Sequence, residues 1–548
     1  MKPKFTAIDL FAGIGGFRLA IESCGGRTIA FSEIDSDAIN VYLQNYSENQ
    51  DSNLGDITKL KQLPRHDLLT AGVPCQSWSI AGRNLGFDDD RGQLWNDALF
   101  LLKQSQPKAF IFENVKGLAD PRNKDALSYI MKRIKEAGYF AEYYVLDSFD
   151  YGVPQSRVRI YIVGFHDAFF YNAFFLPNKE KVNVKLKDII DDDVIVIHCS
   201  DEKRIDSTFH NTINEPLAGV TSLSSNNNGF NDYFLFNDLR NGHTTIHSWD
   251  MIDTTERQKD ICLLLLRNRR KKDFGPLDGN PLSLQQFQYL DKTISEAELE
   301  ELVSLDVLKK EKYAFSVIKD IVDNLAPTEQ LILARSKNNT IIPDELVCDR
   351  ELKINRVNVS ETLKSLEGKG FVACTEIRYE FRHTKISTGL FGINRIFLPS
   401  SNIFPTLVAS DSNDFLTPIS IKANNALEYK HDFMKYVLEK KRYRKISKTE
   451  ALRIQGFPKS FKLPYSRSRW MKLIGNSVAV PVIVKLINAI VETGVFYEKG
   501  MTFAQTKKEN HFSATLSDTI EAAEIHTAMT RQNFRQLSLF EVAEEVFK

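Results

Sequence analysis

The first 115 residues hold apolar runs of strand length, each stopped by glycine, proline or an acid. TAIDLF ends at FAGIGG, TIAFSE at SEID, the short run Asn53–Ile57 at GDI, HDLLTAGVP at GVPCQ, and KAFIFENV at FENV. Helical patterns separate the runs: FRLAIESCG after the first, a segment from Ser36 after the second, a Leu-rich stretch before KAFIFENV and Asp125–Ala137 after it. Two further runs, Glu142–Ser148 and Arg159–Phe165, complete the set. Strands spaced by helices in this way predict an α/β fold, a Rossmann-like and mostly parallel sheet. Ligands of such sheets sit outside the carboxyl ends of the strands, which is where the punctuation of this chain falls.

FAGIGG is not a pyrophosphate loop. Gly13 and Gly15 fit G-x-G, but the third glycine of G-x-G-x-x-G would fall at Arg18. The turn instead lets a smaller nucleoside approach the backbone. Glu33 ends the second run and is placed to accept from ribose hydroxyls, and Asp56 ends the third, within reach of an exocyclic amine. Each acid alone would equally serve as a helix cap or turn residue. Together they describe an adenosine site without phosphate contacts, which suits S-adenosylmethionine better than NAD.

Cys75 follows Pro74 in a corner between glycines, not in an apolar run of the kind that buries a structural thiol. Glu113, at the end of the next run, and Arg157 and Arg159 of QSRVR can share its cleft. A thiolate beside a methyl donor can add to carbon 6 of a cytosine and make carbon 5 nucleophilic, with a protonated Glu113 at ring N3 and an arginine at O2 that also helps lower the thiol pKa. Methylation of an exocyclic amine needs no such nucleophile. Glycines 72, 82, 86 and 92 would let the loop Ser77–Gly92 close over the base.

The ordered set FAGIGG, EID, GDI, GVPCQSWS, ENV and QSRVR resembles the DNA cytosine-5 methyltransferase family. KISKTEALRIQGFPKSFKLP (Lys445–Pro464), opened by a Ser447-x-x-Glu450 capping box, and GNSVAVP (Gly475–Pro481) resemble its closing motifs. The resemblance implies that Phe11, Ala12, Gly13, Gly15, Gly16, Glu33, Asp56, Ile57, Pro74, Leu94, Asn476, Ser477 and Val478 line an S-adenosylmethionine site. It implies Cys75 as nucleophile, Glu113 as the N3 partner, and Arg157 and Arg159 as supporting cations with Gln155 nearby. Double-stranded DNA is then the substrate, and protection against a cognate restriction endonuclease, without a stable complex, the expected role. A tRNA cytosine-5 methyltransferase is the alternative, although its recognition region would be more compact.

At 548 residues more than one core is needed. The expected division is a cofactor-binding domain at 1–170, a target-recognition domain at 171–440, a returning catalytic segment at 441–495 and a tail at 500–548. Within the second, PTEQLILARSKNNTII and INRVNVSETLKSLEGKGFV followed by TEIRYEFRHTK fit either a winged helix near 325–385, with Val359–Lys369 as its second helix and a two-strand wing, or a helical spacer that does not touch DNA. Lys plus Arg equals Asp plus Glu, 71 each, which argues against a general polyanion binder but permits a basic face. Of two basic clusters, RNRRKK (Arg267–Lys272) reads as a solvated helix face; the other is KKRYRK (Lys440–Lys445).

Six scattered cysteines without a CxxC pair fit a reducing cytoplasm, and the family resemblance implies that of a bacterial or phage-infected cell. His243 and His247 have i, i+4 spacing, but no Glu lies between them and NGHTTIHSWD looks like loop, so no metal is expected. The opening MKPKFTAIDLFAG lacks a signal-peptide layout, and the longest aliphatic run is Leu263–Leu266, so no membrane span is expected. Gln536–Phe540 (QLSLF) looks like a peptide that docks on the DNA polymerase sliding clamp, the alternative being a terminal amphipathic helix that packs Leu537, Phe540 and Val542 on the protein.

Overall fold

The computed structural model describes residues 3–48, 50–74, 90–180, 184–198, 233–236, 245–275, 279–319, 324–347, 349–384, 389–401, 403–422 and 426–497. Cys75, the rest of the loop to residue 89, His243 and the tail with Gln536–Phe540 lie outside them.

Strands β1 (Thr6–Leu10), β2 (Arg27–Ser32), β3 (Leu68–Gly72), β4 (Ala109–Val115), β5 (Phe140–Asp147) and β6 (Val158–Phe165) form one sheet in the order β2-β1-β3-β4-β6-β5. Helices α1 (Gly16–Ser23), α2 (Ser36–Tyr46), α3 (Asp90–Ser105) and α4 (Lys124–Glu136) make the crossovers. β1 runs parallel to β2 and β3, and β3 to β4, whereas β6 is antiparallel to both neighbours. The reason is length: the link from β5 to β6 is a tight turn through Ser148–Tyr151, too short for a helical crossover. Strand order reverses between β1 and β3, so a crevice opens at their carboxyl ends.

The expected strand Asn53–Ile57 is absent. Asn53 makes a single bridge to Phe31; Gly55 then takes φ 75°, and Asp56 caps a 3-10 turn at Ile57–Lys59. The positive φ breaks extended backbone before a ladder can form.

Apolar layers cover both faces of the sheet, as parallel strands require. On one side Ile8, Leu10, Leu69, Phe110 and Phe112 pack with Trp95 of α3 and Ile130 of α4. On the other, Phe5, Ala7, Ile14 and Phe17 meet Ile483, Leu486, Ile487 and Ile490, which arrive from the far end of the chain.

The middle region adds β7 (Ile195–His198), β8 (Tyr233–Phe236) and β9 (Thr245–Ile246), then α5 (Glu256–Asn268), α6 (Leu284–Leu290), α7 (Glu296–Ser304), β10 (Leu308–Val317), α8 (Pro327–Leu333), β11 (Thr340–Ile341), α9 (Arg350–Ile354), α10 (Val359–Gly368) and β12 (Val372–Phe381). After β13 (Arg395–Phe397), β14 (Asp414–Leu416), β15 (Ile419–Lys422) and α11 (Ala426–Phe433) the chain returns through α12 (Lys448–Gln455), α13 (Arg467–Asn476) and α14 (Val480–Glu492). A four-stranded sheet runs β14-β13-β8-β9, and β7 pairs with β15. The stretch Arg467–Glu492 is long and apolar enough to cross a membrane by composition, yet most of it is buried, with α14 lying against α1.

The insert differs from the expected winged helix in its strands. α10 falls where anticipated, but TEIRYEFRHTK does not fold back as a wing. β12 runs straight and pairs antiparallel with β10, which precedes the helices, and β11 pairs with the other edge of β10. The sheet order β11-β10-β12 is thus completed by a central strand from upstream. One core beneath α8, α9 and α10 holds Phe315, Ile332, Leu352, Val359, Leu363 and Leu366. A second, under α5 to α7, holds Cys262, Leu265, Phe287, Leu299 and Leu302, and Tyr379 and Phe381 of β12 join it. The antiparallel pair β10–β12 therefore serves two cores.

RNRRKK is not a purely solvated face. Arg269 is buried against Glu380 of β12, 2.5 Å away, while Arg267 and Arg270 stay exposed.

Candidate active site

The turn after β1 is built on three left-handed residues, Phe11 (φ 53°), Gly13 (φ 55°) and Gly15 (φ 85°). Gly15 has no room for a side chain: a Cβ would lie 2.5 Å from the Tyr46 ring, whose hydroxyl donates to Gly15 O at 2.6 Å. Gly16 is equally constrained, by Val478 Cγ2 and Ser477 Oγ at 2.8 and 2.9 Å from its ideal Cβ. A Cβ on Gly13 would meet nothing within 4 Å, so the loop fronts open space there. Ala12 is held to β2 through its N–H to Ser32 O, 3.0 Å.

Glu33 lies under this turn. Its Oε2 accepts from Gly13 N–H, and its Oε1 accepts from the N–H groups of Ile34 and Asp35, each at 2.8 Å. A carboxylate offers about four acceptor positions, so one stays open. Beside it Ile34 is 73% exposed, an apolar side chain that no core claims. Asp56 spends Oδ1 on the N–H and hydroxyl of Thr58, which hold its carboxyl below the usual carboxylate range. Its charge also reaches Asp97 of α3, where burial pushes the carboxyl up and the neighbouring Asp56 adds to the rise. Ile57 is buried, Leu94 half-buried, and Asn476 exposed beside buried Ser477 and Val478.

Glu113 and Tyr161 face each other across the β4–β6 ladder, and Arg159, two residues earlier on β6, reaches Glu113 Oε1 through Nε at 3.1 Å. Burial pushes the Glu113 carboxyl up; the charges of Arg159 and then Arg157 pull the other way without cancelling it. The group is therefore disposed to hold a proton. Arg157 does something different. Its guanidinium donates to Leu407 O (2.9 Å), Gly475 O (3.0 Å) and Ser477 O (2.6 Å), joining the QSRVR strand to the loop between β13 and β14 and to the end of α13. The two arginines read as a pair in the sequence divide their tasks. Gln155 is fully buried, its backbone bridged to Phe404.

Sequence reasoning passed over several residues. Buried Asn114 donates to Val73 O at 3.1 Å and so fixes the backbone one residue before Pro74. The signal was available, because an amide inside an apolar strand needs a partner. Asp9, fully buried on β1, accepts from the Thr70 hydroxyl at 2.8 Å, and burial pushes its carboxyl up to about 8. His247 stacks on Trp249 with ring centroids 4.2 Å apart. Among the described residues no group of three or more His, Cys, Asp or Glu is placed to hold a metal ion.

A mostly parallel sheet whose strand order reverses between β1 and β3, with a buried carboxyl paired to a guanidinium on β4 and β6, defines an α/β protein whose ligand site lies at that switch point. Comparisons narrow the class. The family described as C-5 cytosine-specific DNA methylase matches residues 5–492. The type II methyltransferase M.HgiBI of Herpetosiphon aurantiacus is 42% identical over 491 residues, 89% of this chain and 97% of its own. The type II methyltransferase M.NlaIV of Neisseria lactamica is 28% identical over 89% of this chain and 98% of its own. The solved structure of the Entamoeba histolytica methyltransferase EhMeth aligns with a TM-score of 0.43 and 13% identity, over 90% of this chain and 99% of that one. The chain belongs to the C-5 cytosine-specific DNA methylase family and is a DNA (cytosine-5-)-methyltransferase.

Proposed function

We propose that the chain methylates carbon 5 of one cytosine in a specific double-stranded DNA sequence, through a covalent adduct to a base turned out of the helix. The observation that carries this is the ion pair of buried Glu113 with half-buried Arg159, beside the turn that leads to Cys75.

S-adenosylmethionine supplies an electrophilic methyl group. The residues present fit it: Glu33 keeps an acceptor position for a ribose hydroxyl, Gly13 leaves open space, and Ile34 offers an apolar surface for a purine. The Cys75 thiolate forms a bond to C6 of the target cytosine. Glu113 gives its proton to N3, and Arg159 orients Glu113 while facing the base. C5 then takes the methyl group; water accepts the C5 proton, the electron pair re-forms the C5–C6 double bond as Cys75 leaves as thiolate, and N3 returns its proton to Glu113. Turning out the base costs a few kcal/mol.

The finer assignments follow from the same reading. Relatives are named as type II methyltransferases, so protection of DNA from a partner endonuclease in a bacterial cytoplasm, phage-infected or not, is the role proposed. Docking of QLSLF on the sliding clamp is proposed from sequence, with loss of co-migration on deleting Gln536–Phe540 as its test. A tRNA substrate gains no support from relatives named as type II methyltransferases over nearly their whole length.

The test is bisulfite sequencing of DNA from a methylation-free host expressing the protein. One short motif with a protected cytosine is expected. Complete conversion everywhere, with folded protein that binds S-adenosylmethionine, would overturn the DNA reading. Cys75→Ala should abolish methylation while DNA binding persists, and turnover in that variant would rule out the adduct.

A further inference from the structure

The ion pairs of the insert are unevenly distributed. Around α8, α9 and α10 most acids have a cation: Glu329 with Lys369 (2.7 Å), Glu345 with Lys337 (3.2 Å), Asp349 with Arg335 (3.1 Å), Glu367 with Lys312 (2.6 Å), and Glu351 with Arg335 as well. Four exposed cations are left over. Arg350, Lys353, Arg356 and Lys364 have no ion-pair partner among the described residues, and on α9 and α10 the corresponding unpaired acid is Glu361 alone.

These four cations occupy one supersecondary unit. α9 and α10 are joined by four residues, Asn355–Asn358, with Arg356 in a left-handed conformation (φ 54°) that reverses the chain. That is the linker length of a helix-turn-helix. Asn358 caps α10 by accepting from Glu361 N–H, 3.3 Å. Val359, Leu363 and Leu366 turn inward to the core beneath, so Ser360 and Lys364, one turn apart, lie outward. On α9, Arg350 and Ile354 share a face by the same spacing, and Ile354 is 67% exposed. An isoleucine among cations suits a partner that is anionic along its edges and apolar in places. Duplex DNA, with phosphates flanking thymine methyl groups, has that character.

We propose that α9–α10 is a second duplex-contacting surface. Arg350, Lys353, Arg356 and Lys364 neutralise backbone phosphates, and Ile354 and Ser360 face the groove edge. The proposal rests on the DNA reading above and adds a contact outside the catalytic domain. β10 and β12 fix its position, because the same strand pair is built into the neighbouring core through Tyr379 and Phe381.

The test measures binding of the full-length protein to a fluorescent duplex over about a tenfold range of salt. Each phosphate contact contributes about 0.9 to the slope of log K against log salt, so R350Q/K353Q/R356Q/K364Q should flatten it by up to about 3.6 and weaken binding at least about tenfold at low salt. S-adenosylmethionine binding should not change. R350K/R356K should keep the wild-type slope. K103Q/K132Q/K135Q, a similar charge change on exposed helix positions of the catalytic domain, should leave slope and affinity alone. An unchanged slope and affinity in the quadruple variant would overturn the inference and leave a protein partner as the surface's use; an equal effect in the control would overturn it too. If wild type protects no cytosine by bisulfite sequencing, the functional reading fails. If it does and the quadruple variant binds normally, this inference alone fails.

Discussion

Arg157→Ala separates holding the site together from acting on the base. The guanidinium is 3% exposed and donates to three carbonyl oxygens, two of them in the Gly475–Ser477 turn. Hydrogen bonds to a charged group contribute about 1.5–3 kcal/mol each, and the three share one side chain, so their loss is less than additive, on the order of 3–5 kcal/mol in all. At roughly 3 °C per kcal/mol for a unit of this size, the thermal transition of the catalytic domain should fall by on the order of 10 °C. S-adenosylmethionine affinity should fall with it, because Ser477 and Val478 pack on Gly16. Arg157→Lys should recover part of the stability. Arg159→Ala is the contrast: its guanidinium faces Glu113, not distant carbonyls, so turnover should drop while the transition moves by only a few degrees. Differential scanning calorimetry and single-turnover methyl transfer would be read on both. An Arg157→Ala protein as stable as wild type but inactive would refute the division of labour.

Three other outcomes follow from the geometry. Glu113→Gln should cut turnover about 10²-fold or more with cofactor affinity unchanged; because burial raises the wild-type carboxyl, the rate of the native enzyme should fall on the alkaline side as that proton is lost, and a pH–rate profile of the variant should lack this limb. Gly15→Ala should destabilise by about 2–4 kcal/mol through contact with Tyr46 and a left-handed φ, while Gly13→Ala should cost about 1 kcal/mol yet lose more cofactor affinity, because its Cβ enters open space; calorimetric titration beside thermal denaturation distinguishes the two. The Asp9 carboxyl rises from 3.8 to about 8 on folding, so the folded state retains a proton that the unfolded chain releases. Relative to Asp9→Asn, wild type should therefore lose stability from about pH 4 to about pH 8, by at most about 1.4 kcal/mol per pH unit. Denaturation curves of the two proteins that stay parallel in pH would exclude this.

The sheet was legible because its local and global signals agree: a β-rich apolar run, then a residue that cannot continue it, then a helical period. Glu33 was legible for the same reason, and its bond to Gly13 spans two punctuation marks. Asn53–Ile57 misled because Gly55 and the Asp56 cap defeat a weak strand propensity. The Arg157 bonds join residues about 250 and 320 positions apart, which no local pattern encodes. The strand pairing of the insert was hidden likewise: TEIRYEFRHTK has the composition of a wing, but its partner lies upstream, before the helices. Arg269 belongs with these, since a basic run reads as solvated until the acid that buries it is located.

The pairing of α1 with α14 sets a timetable for synthesis. Cys24 Sγ lies 3.7 Å from Val484 O, 460 residues later. At about 5–20 residues per second, β1 and α1 leave the ribosome roughly 20–90 s before the helix that covers them. For that interval Phe5, Ala7, Ile14 and Phe17 lack their cover, and Gly16 lacks the Ser477–Val478 contact. The middle region is made meanwhile and can fold on its own cores. A nascent chain halted before α14 thus carries the middle region beside an unsealed six-stranded sheet, a state open to chaperones and proteases. Enzyme abundance in a cell then depends on how quickly the last helix arrives, as well as on the stability of the finished fold.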